Sequence, residues 1–321
     1  MNFNFVAHRK VFYLISLALI LPGVISLLLP GGLHPGIDFT SGTIMTLRLP
    51  AEVDQSALRQ AFTEIGHPEA VIQGTSEGDF LVRTRPFENV TTESADDRAR
   101  LTERETMVQA FTDKFGSVEV RGFDFVSPLI AQEIVRHSVL AVAAACLGIL
   151  LYLWWAFRKV PQSWRYGACA VFALVHDALL VLGVFSILGR LFNIELDALF
   201  ITAVLTVIGF SVHDTIVVFD RVRENINRHQ GESFDSVVNH SLMQTMTRSI
   251  NTSITVLLTL VTLRLFGGVT IHNFVTALIV GIMAGTYSSI FNASLLLVSW
   301  EKGEIGQLWR RMTLRPATAT T

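Results

Sequence analysis

The sequence predicts a polytopic α-helical membrane protein, with six transmembrane helices plus one α+β ferredoxin-like extracytoplasmic domain between helices 1 and 2. Three observations carry this reading. Half of the 321 residues are hydrophobic, 16% are charged and the mean hydropathy is +0.47, a balance at which a soluble chain would aggregate. Low-charge stretches approach or exceed the roughly 20 residues needed to cross a bilayer core. One long polar insert interrupts them.

Five stretches have the full length: Val11 to Leu29, Ser138 to Phe157, Tyr166 to Leu188, Ala198 to Phe219 and His272 to Trp300. A sixth, Ser249 to Leu263, is shorter and rich in Thr. It still qualifies, because a Thr hydroxyl can bond back to its own helix backbone. The first stretch follows Arg9 and Lys10 but exceeds a normal signal core and lacks a small-x-small cleavage site, so it is read as a retained anchor.

Short-loop charge sets the orientation. One side collects Arg9, Lys10, Arg158, Lys159, Arg165, Arg221, Arg223, Arg228, Lys302, Arg310, Arg311 and Arg315, and the other only Arg190 and Arg264. Both termini are therefore expected in the cytoplasm. The expected boundaries are 1–30 for the N-terminus and helix 1, 31–136 for the external domain, 137–300 for helices 2–6, and 301–321 for a cytoplasmic tail.

The insert reads strand, helix, strand, strand, helix, strand, the order of a split βαβ fold. Thr43 to Leu49 alternates, with Met45, Leu47 and Leu49 on one face. Asp54 can cap a helix carrying Leu58, Phe62 and Ile65 that stops at Gly66 and Pro68. Val71 to Gln73 and Phe80 to Thr84 form a hairpin around Glu77-Gly78-Asp79. Asp96 or Asp97 caps a second helix with Leu101, Val108, Phe111 and Phe115, ending at Gly116 before a strand from Val118 to Phe125. The insert holds 17 acidic and 10 basic residues, which argues against nucleic acid or anionic lipid as a ligand. Cys146 and Cys169 both lie in apolar spans, so the insert has no disulfide and no thiol metal site is expected.

Asp214 stands out because it lies inside the fourth span. A carboxylate there costs roughly 2.5–3.5 kcal/mol on insertion scales, and the default explanation is a proton or ion pathway. Desolvation favours a protonated carboxyl and a nearby cation favours the ionised form, so a movable Arg would switch such a group. Arg248 is the candidate cation, standing at the entry to the next span. The bland alternative is a static buried ion pair that only fixes packing. Asp177, near the middle of the third span beside His176, either extends the proton path or hydrogen-bonds a neighbouring helix. His213 points about 100° away from Asp214 on a helix and is not paired with it.

The residues from Ile208 to Asn225 resemble the fourth-span signature of the SecF family of bacterial protein-export subunits, I-G-[FY]-S-x-[NH]-D-T-[IV]-V-V-[FY]-D-R-[IV]-R-E-N. Gly36-Ile37-Asp38-Phe39-Thr40-Ser41-Gly42-Thr43 resembles that family's G-[IV]-D-F-x-G-G-T, with Ser41 at a usual glycine position. Thr247 to Ser253 and His176-Asp177 resemble its fifth-span entry and third span. The resemblance implies an auxiliary export subunit, not an enzyme, with the proton as coupling ion and no other cofactor. It implies Asp214 and Arg248 as coupling residues. It also implies SecD as companion, the SecYEG channel with SecA, an unfolded secretory polypeptide, YajC and YidC as associates, and the bacterial inner membrane as location.

Other features have plainer readings. Asp220, Arg221, Arg223 and Glu224 mark the cytoplasmic mouth and are read first as interfacial anchors. Asp38, between Gly36 and Gly42 and beside Phe39, is read as an Asx-type turn former that stiffens the junction between anchor and domain. Ala277, Gly281, Gly285, Ser289 and Ala293 form a small-residue stripe that admits a close helix. No phosphate-binding G-x-x-x-x-G-K-[ST] loop is present, so the energy is expected from a gradient or from elsewhere. Two alternatives stay open: a small-molecule or lipid exporter of the resistance-nodulation-division architecture, and an intramembrane aspartyl protease using Asp177 and Asp214.

Overall fold

A computed structural model describes residues 4–50, 53–74, 78–86, 107–158, 162–304 and 306. The chain divides into two compact units, Pro35–Val139 and the remainder formed by Met1–His34 with Leu140–Thr321.

In the smaller unit a single helical turn, α2 (Ile37–Thr40), leads into strand β1 (Gly42–Arg48). Then follow α3 (Gln55–Glu64), β2 (Val71–Gly74), β3 (Asp79–Thr84), α4 (described over 107–115) and β4 (Glu119–Val126). The sheet is antiparallel with order β2-β3-β1-β4, the arrangement of a ferredoxin-like split βαβ fold. Its alternation places Met45, Leu47, Ile72 and Val82 in one buried layer with Leu58 and Phe62 of α3 and Phe111 of α4. Phe62 and Phe111 meet edge-on at 4.9 Å. Asp54 caps α3, accepting from the Gln55 amide at 2.8 Å. The cap expected from Asp96 or Asp97, with Leu101, lies outside the described residues.

The larger unit contains helices long and apolar enough to cross a membrane: α1 (Arg9–Leu28), α6 (Trp164–Phe192), α7 (Ala198–Arg228), α8 (Phe234–Phe266) and the broken span His272–Glu301. With α5 (Pro128–Ala156), which begins in the smaller unit, these make six among the described residues. Two helices run well past the apolar limits that hydropathy marks. α7 continues from Phe219 to Arg228, and α8 begins at Phe234 rather than near Ser249. The hairpin between them is fastened by buried Asn225, which donates to Ser241 Oγ at 2.8 Å and to Gln244 Oε1 at 3.0 Å. The Thr residues of α8 bond back as expected: Thr252 to the Arg248 carbonyl at 3.0 Å, Thr259 to Thr255 at 3.1 Å and Thr262 to Leu258 at 2.9 Å.

The last span is not one uniform helix. It runs as α9 (His272–Tyr287), a π-helical segment (Ser288–Ala293) and α10 (Ser294–Glu301). The widened turn leaves carbonyls that serine side chains reach: Ser289 Oγ donates to Thr286 and Ser294 Oγ to Ser289, at 3.2 and 3.1 Å. The small-residue stripe does admit a close neighbour, namely α7. A Cβ at Gly281 would lie 2.1 Å from a Val207 methyl, and one at Gly285 would lie 2.9 Å from Ser211 Cβ.

Candidate functional site

Asp214 occupies the inward face of α7 and is 3% exposed, whereas its neighbour His213 is exposed, as the helical spacing requires. Among the described residues its carboxylate makes no hydrogen bond or ion pair, and Oδ2 is fully buried. The Ser249 hydroxyl of α8 is likewise buried without a partner. An ionised carboxylate so placed lacks the donors that normally stabilise a buried charge.

The expected pairing of Asp214 with Arg248 is not formed. Arg248 is exposed on α8, and no ion pair joins it to Asp214 among the described residues. The entry to the next span is close in sequence, but the rotation of α8 turns Ser249 and Ser253 inward and Arg248 outward.

Asp177 has the opposite surroundings. It is completely buried, and both oxygens are engaged. Oδ1 lies 2.9 Å from His176 Nδ1, while Oδ2 accepts from Ser211 Oγ of α7 at 2.6 Å and from Ser288 Oγ at 2.7 Å. The polar chain continues, since the His176 ring stacks on Tyr287, whose hydroxyl donates to the Phe12 carbonyl of α1 at 2.7 Å. Ser16 of α1 donates to Asn292 Oδ1 at 2.7 Å. Ser211, Ser288, Tyr287, Ser16 and Asn292 escaped the sequence reading, because single serines in apolar runs carry no signal until long-range packing pairs them. No hydrogen bond joins Asp177 to Asp214, so the shared-proton dyad of an aspartyl protease is not assembled.

The other candidates lie apart from this core. Asp220 pairs with Arg223 at 2.8 Å, and Glu224 with Arg221 at 2.5 Å and Arg228 at 2.6 Å, along one end of α7. Arg221 also donates to Gln244 of α8. At the junction, Asp38 lies within α2, whose first carbonyl, Gly36, accepts from Phe39 and Thr40 amides at 3.1 and 3.2 Å. Ser41 takes φ +64, a region that favours glycine, and this explains why its position resembles a glycine site. Gly42 has φ +147, and a Cβ there would lie 2.9 Å from the Thr84 carbonyl oxygen.

Residues 106–303 match the family described as protein export membrane protein SecD/SecF, C-terminal, and residues 31–49 match the SecD/SecF GG motif. The chain is similar to the protein translocase subunit SecF of Thermobaculum terrenum, 48% identical over 99% of both chains, and to that of Anaerolinea thermophila, 41% identical over 98% of this chain and 99% of that one. It is also similar to a solved structure, the crystal structure of SecDF from Thermus thermophilus. That match has a TM-score of 0.77 and 34% identity, and covers 94% of this chain and 39% of the SecDF chain. The protein translocase subunit SecDF of Bacillus subtilis is 34% identical over 95% of this chain and 39% of its own. The chain thus spans about two fifths of the length of the SecDF chains it matches.

Proposed function

Because the chain belongs to the SecD/SecF family, we propose that it is an auxiliary subunit of the Sec protein-export machinery that uses the proton gradient to help move secreted polypeptides outward. Asp214 is the group that takes up and releases the proton. The observation that carries this assignment is its bare, buried carboxylate on α7, placed in a span where an unpaired charge is costly. One charge crossing 100 mV yields about 2.3 kcal/mol, enough to shift a two-state equilibrium by tens of fold. The motion it biases is that of the extracytoplasmic domain, reached covalently through the Gly36–Thr43 junction and the start of α5.

Arg248 is the counter-charge in a conformation or assembly different from the one described. Its exposed face of α8 also carries Asn251, Thr255 and Thr259, a polar stripe in which the Arg248 and Asn251 side chains are costly in hydrocarbon. A companion chain covers that stripe. The SecDF relatives, which extend far beyond the part matched here, support SecD as that companion. SecYEG with SecA, and YajC and YidC, complete the inferred assembly in the bacterial inner membrane, with both termini cytoplasmic. The full engagement of Asp177 argues against the protease alternative.

The test uses the chain co-purified with its partner in proteoliposomes under an imposed proton gradient. Asp214→Asn and Arg248→Met should each abolish gradient-driven translocation while the complex still assembles. Undiminished translocation by Asp214→Asn would overturn the assignment.

A further inference from the structure

Asp177 is the second carboxylate buried in the membrane unit, and its surroundings differ in kind from those of Asp214. Its three hydrogen-bond partners come from three places: His176 on its own α6, Ser211 on α7 and Ser288 at the first residue of the π segment. Ser211 lies three residues, about one turn, before Asp214 on the same helix. Ser288 is where the last span changes from α to π. One carboxylate oxygen, Oδ2, therefore joins the helix that bears Asp214 to the irregular turn packed against it.

A π turn accommodates one more residue than an α turn, and such turns persist only where surrounding contacts hold them. If Ser288–Ala293 reverted to α geometry, everything after it would rotate by roughly 100°. α10 buries Leu295, Leu297 and Val298 in the same cluster as Val218 and Phe219 of α7, so that rotation would break its seat.

We propose that Asp177 is a positioning residue, a hydrogen-bond clasp that holds α7 and the π segment in one register, and not a second carrier of the translocated proton. This rests on the reading of Asp214 as the coupling acid. The chemistry separates the two roles. A serine hydroxyl donates or accepts by turning, so an amide in place of the carboxylate can keep both serine contacts. An amide cannot carry a proton through the cycle.

The experiment compares Asp177→Asn, Asp177→Leu and the double variant Ser211→Ala with Ser288→Ala, each assembled with its partner in proteoliposomes. Asp177→Asn should translocate within about twofold of the wild type, and Asp177→Leu and the double variant about tenfold less. Amide hydrogen exchange over Ser288–Ala293, read without any gradient, should quicken by about tenfold in Asp177→Leu and the double variant and stay near the wild type in Asp177→Asn. An Asp177→Asn variant as inactive as Asp214→Asn would make Asp177 a carrier and overturn the clasp. Wild-type translocation and exchange in both the Asp177→Leu and the double variant would make the contacts inert and overturn it equally. The exchange measurement stands even if Asp214→Asn retains activity, so failure of the proton reading and failure of the clasp give different results.

Discussion

Two carboxylates are buried in the same helix bundle on adjacent helices, and their environments are reversed. Asp177 has a hydrogen-bond partner on each oxygen and two on one of them, while Asp214 has none among the described residues. A third acid, Glu69 in the smaller unit, resembles Asp177 but lies near water. It accepts from Thr84 Oγ1 at 3.1 Å and faces Arg85 Nε at 3.0 Å and His67 Nδ1 at 3.3 Å. Burial alone would raise its carboxyl, but bonds from its own backbone amide, Arg85, His67 and Thr84 outweigh burial and hold it down at about 2. The lesson is that burial does not mark a transport group by itself. Donors fix an acid in one state, and their lack leaves it free to change state.

Four changes would break or sharpen this contrast. The largest effect is expected from Gly281→Leu, because any Cβ there meets Val207 and would push apart the helices that shelter both acids. Overpacking of this kind costs about 1–3 kcal/mol or more. The thermal midpoint of the purified chain should fall by several degrees, and translocation should be lost. Next is Asp177→Leu, which strands two serine hydroxyls at a cost of about 1–3 kcal/mol, also visible as a lowered midpoint. Asp177→Asn should recover most of that loss.

A smaller gain is expected from Ser41→Gly. A non-glycine residue at positive φ stores about 1–3 kcal/mol of strain, partly offset by the greater freedom of an unfolded glycine. Slower hydrogen exchange along Gly42–Arg48 would register the relief. The smallest is a pH effect at Glu69. Its folded value lies below the ordinary 4.5, so its contribution to stability is complete above pH 4.5 and is lost as pH falls from there toward about 2. Glu69→Gln should flatten that segment of an unfolding-against-pH curve. If the curve is unchanged, the donors around Glu69 do not stabilise it.

Much of this arrangement was legible in the sequence, for reasons that also define what was not. Spans could be found because hydrocarbon selects long apolar runs, and even the Thr-rich α8 is admitted once hydroxyl back-bonding is allowed. The alternation of Met45 and Leu47 placed β1 correctly, since a half-buried strand must repeat every two residues. Hydropathy failed at Phe219 and Phe234, where helices continue past the membrane limit on hydrogen bonds from Asn225 rather than on apolar content. The π segment was invisible because its sequence is as helical as its neighbours and only the phase of the backbone bonds differs. Asp214 announced itself as a charge in an apolar run. Its contrast with Asp177 did not, because Ser211 and Ser288 lie 34 and 111 residues away from Asp177. The direction in which Arg248 points was not legible either, because sequence proximity to a span entry says nothing about which way the helix is turned.

The most direct test puts the two acids in one assay, comparing Asp214→Asn with Asp177→Asn in the assembled complex under an imposed proton gradient, with translocated polypeptide as the readout. The account predicts that Asp214→Asn is inactive and Asp177→Asn stays within about twofold of wild type. An active Asp214→Asn, or an Asp177→Asn equally dead, would contradict it.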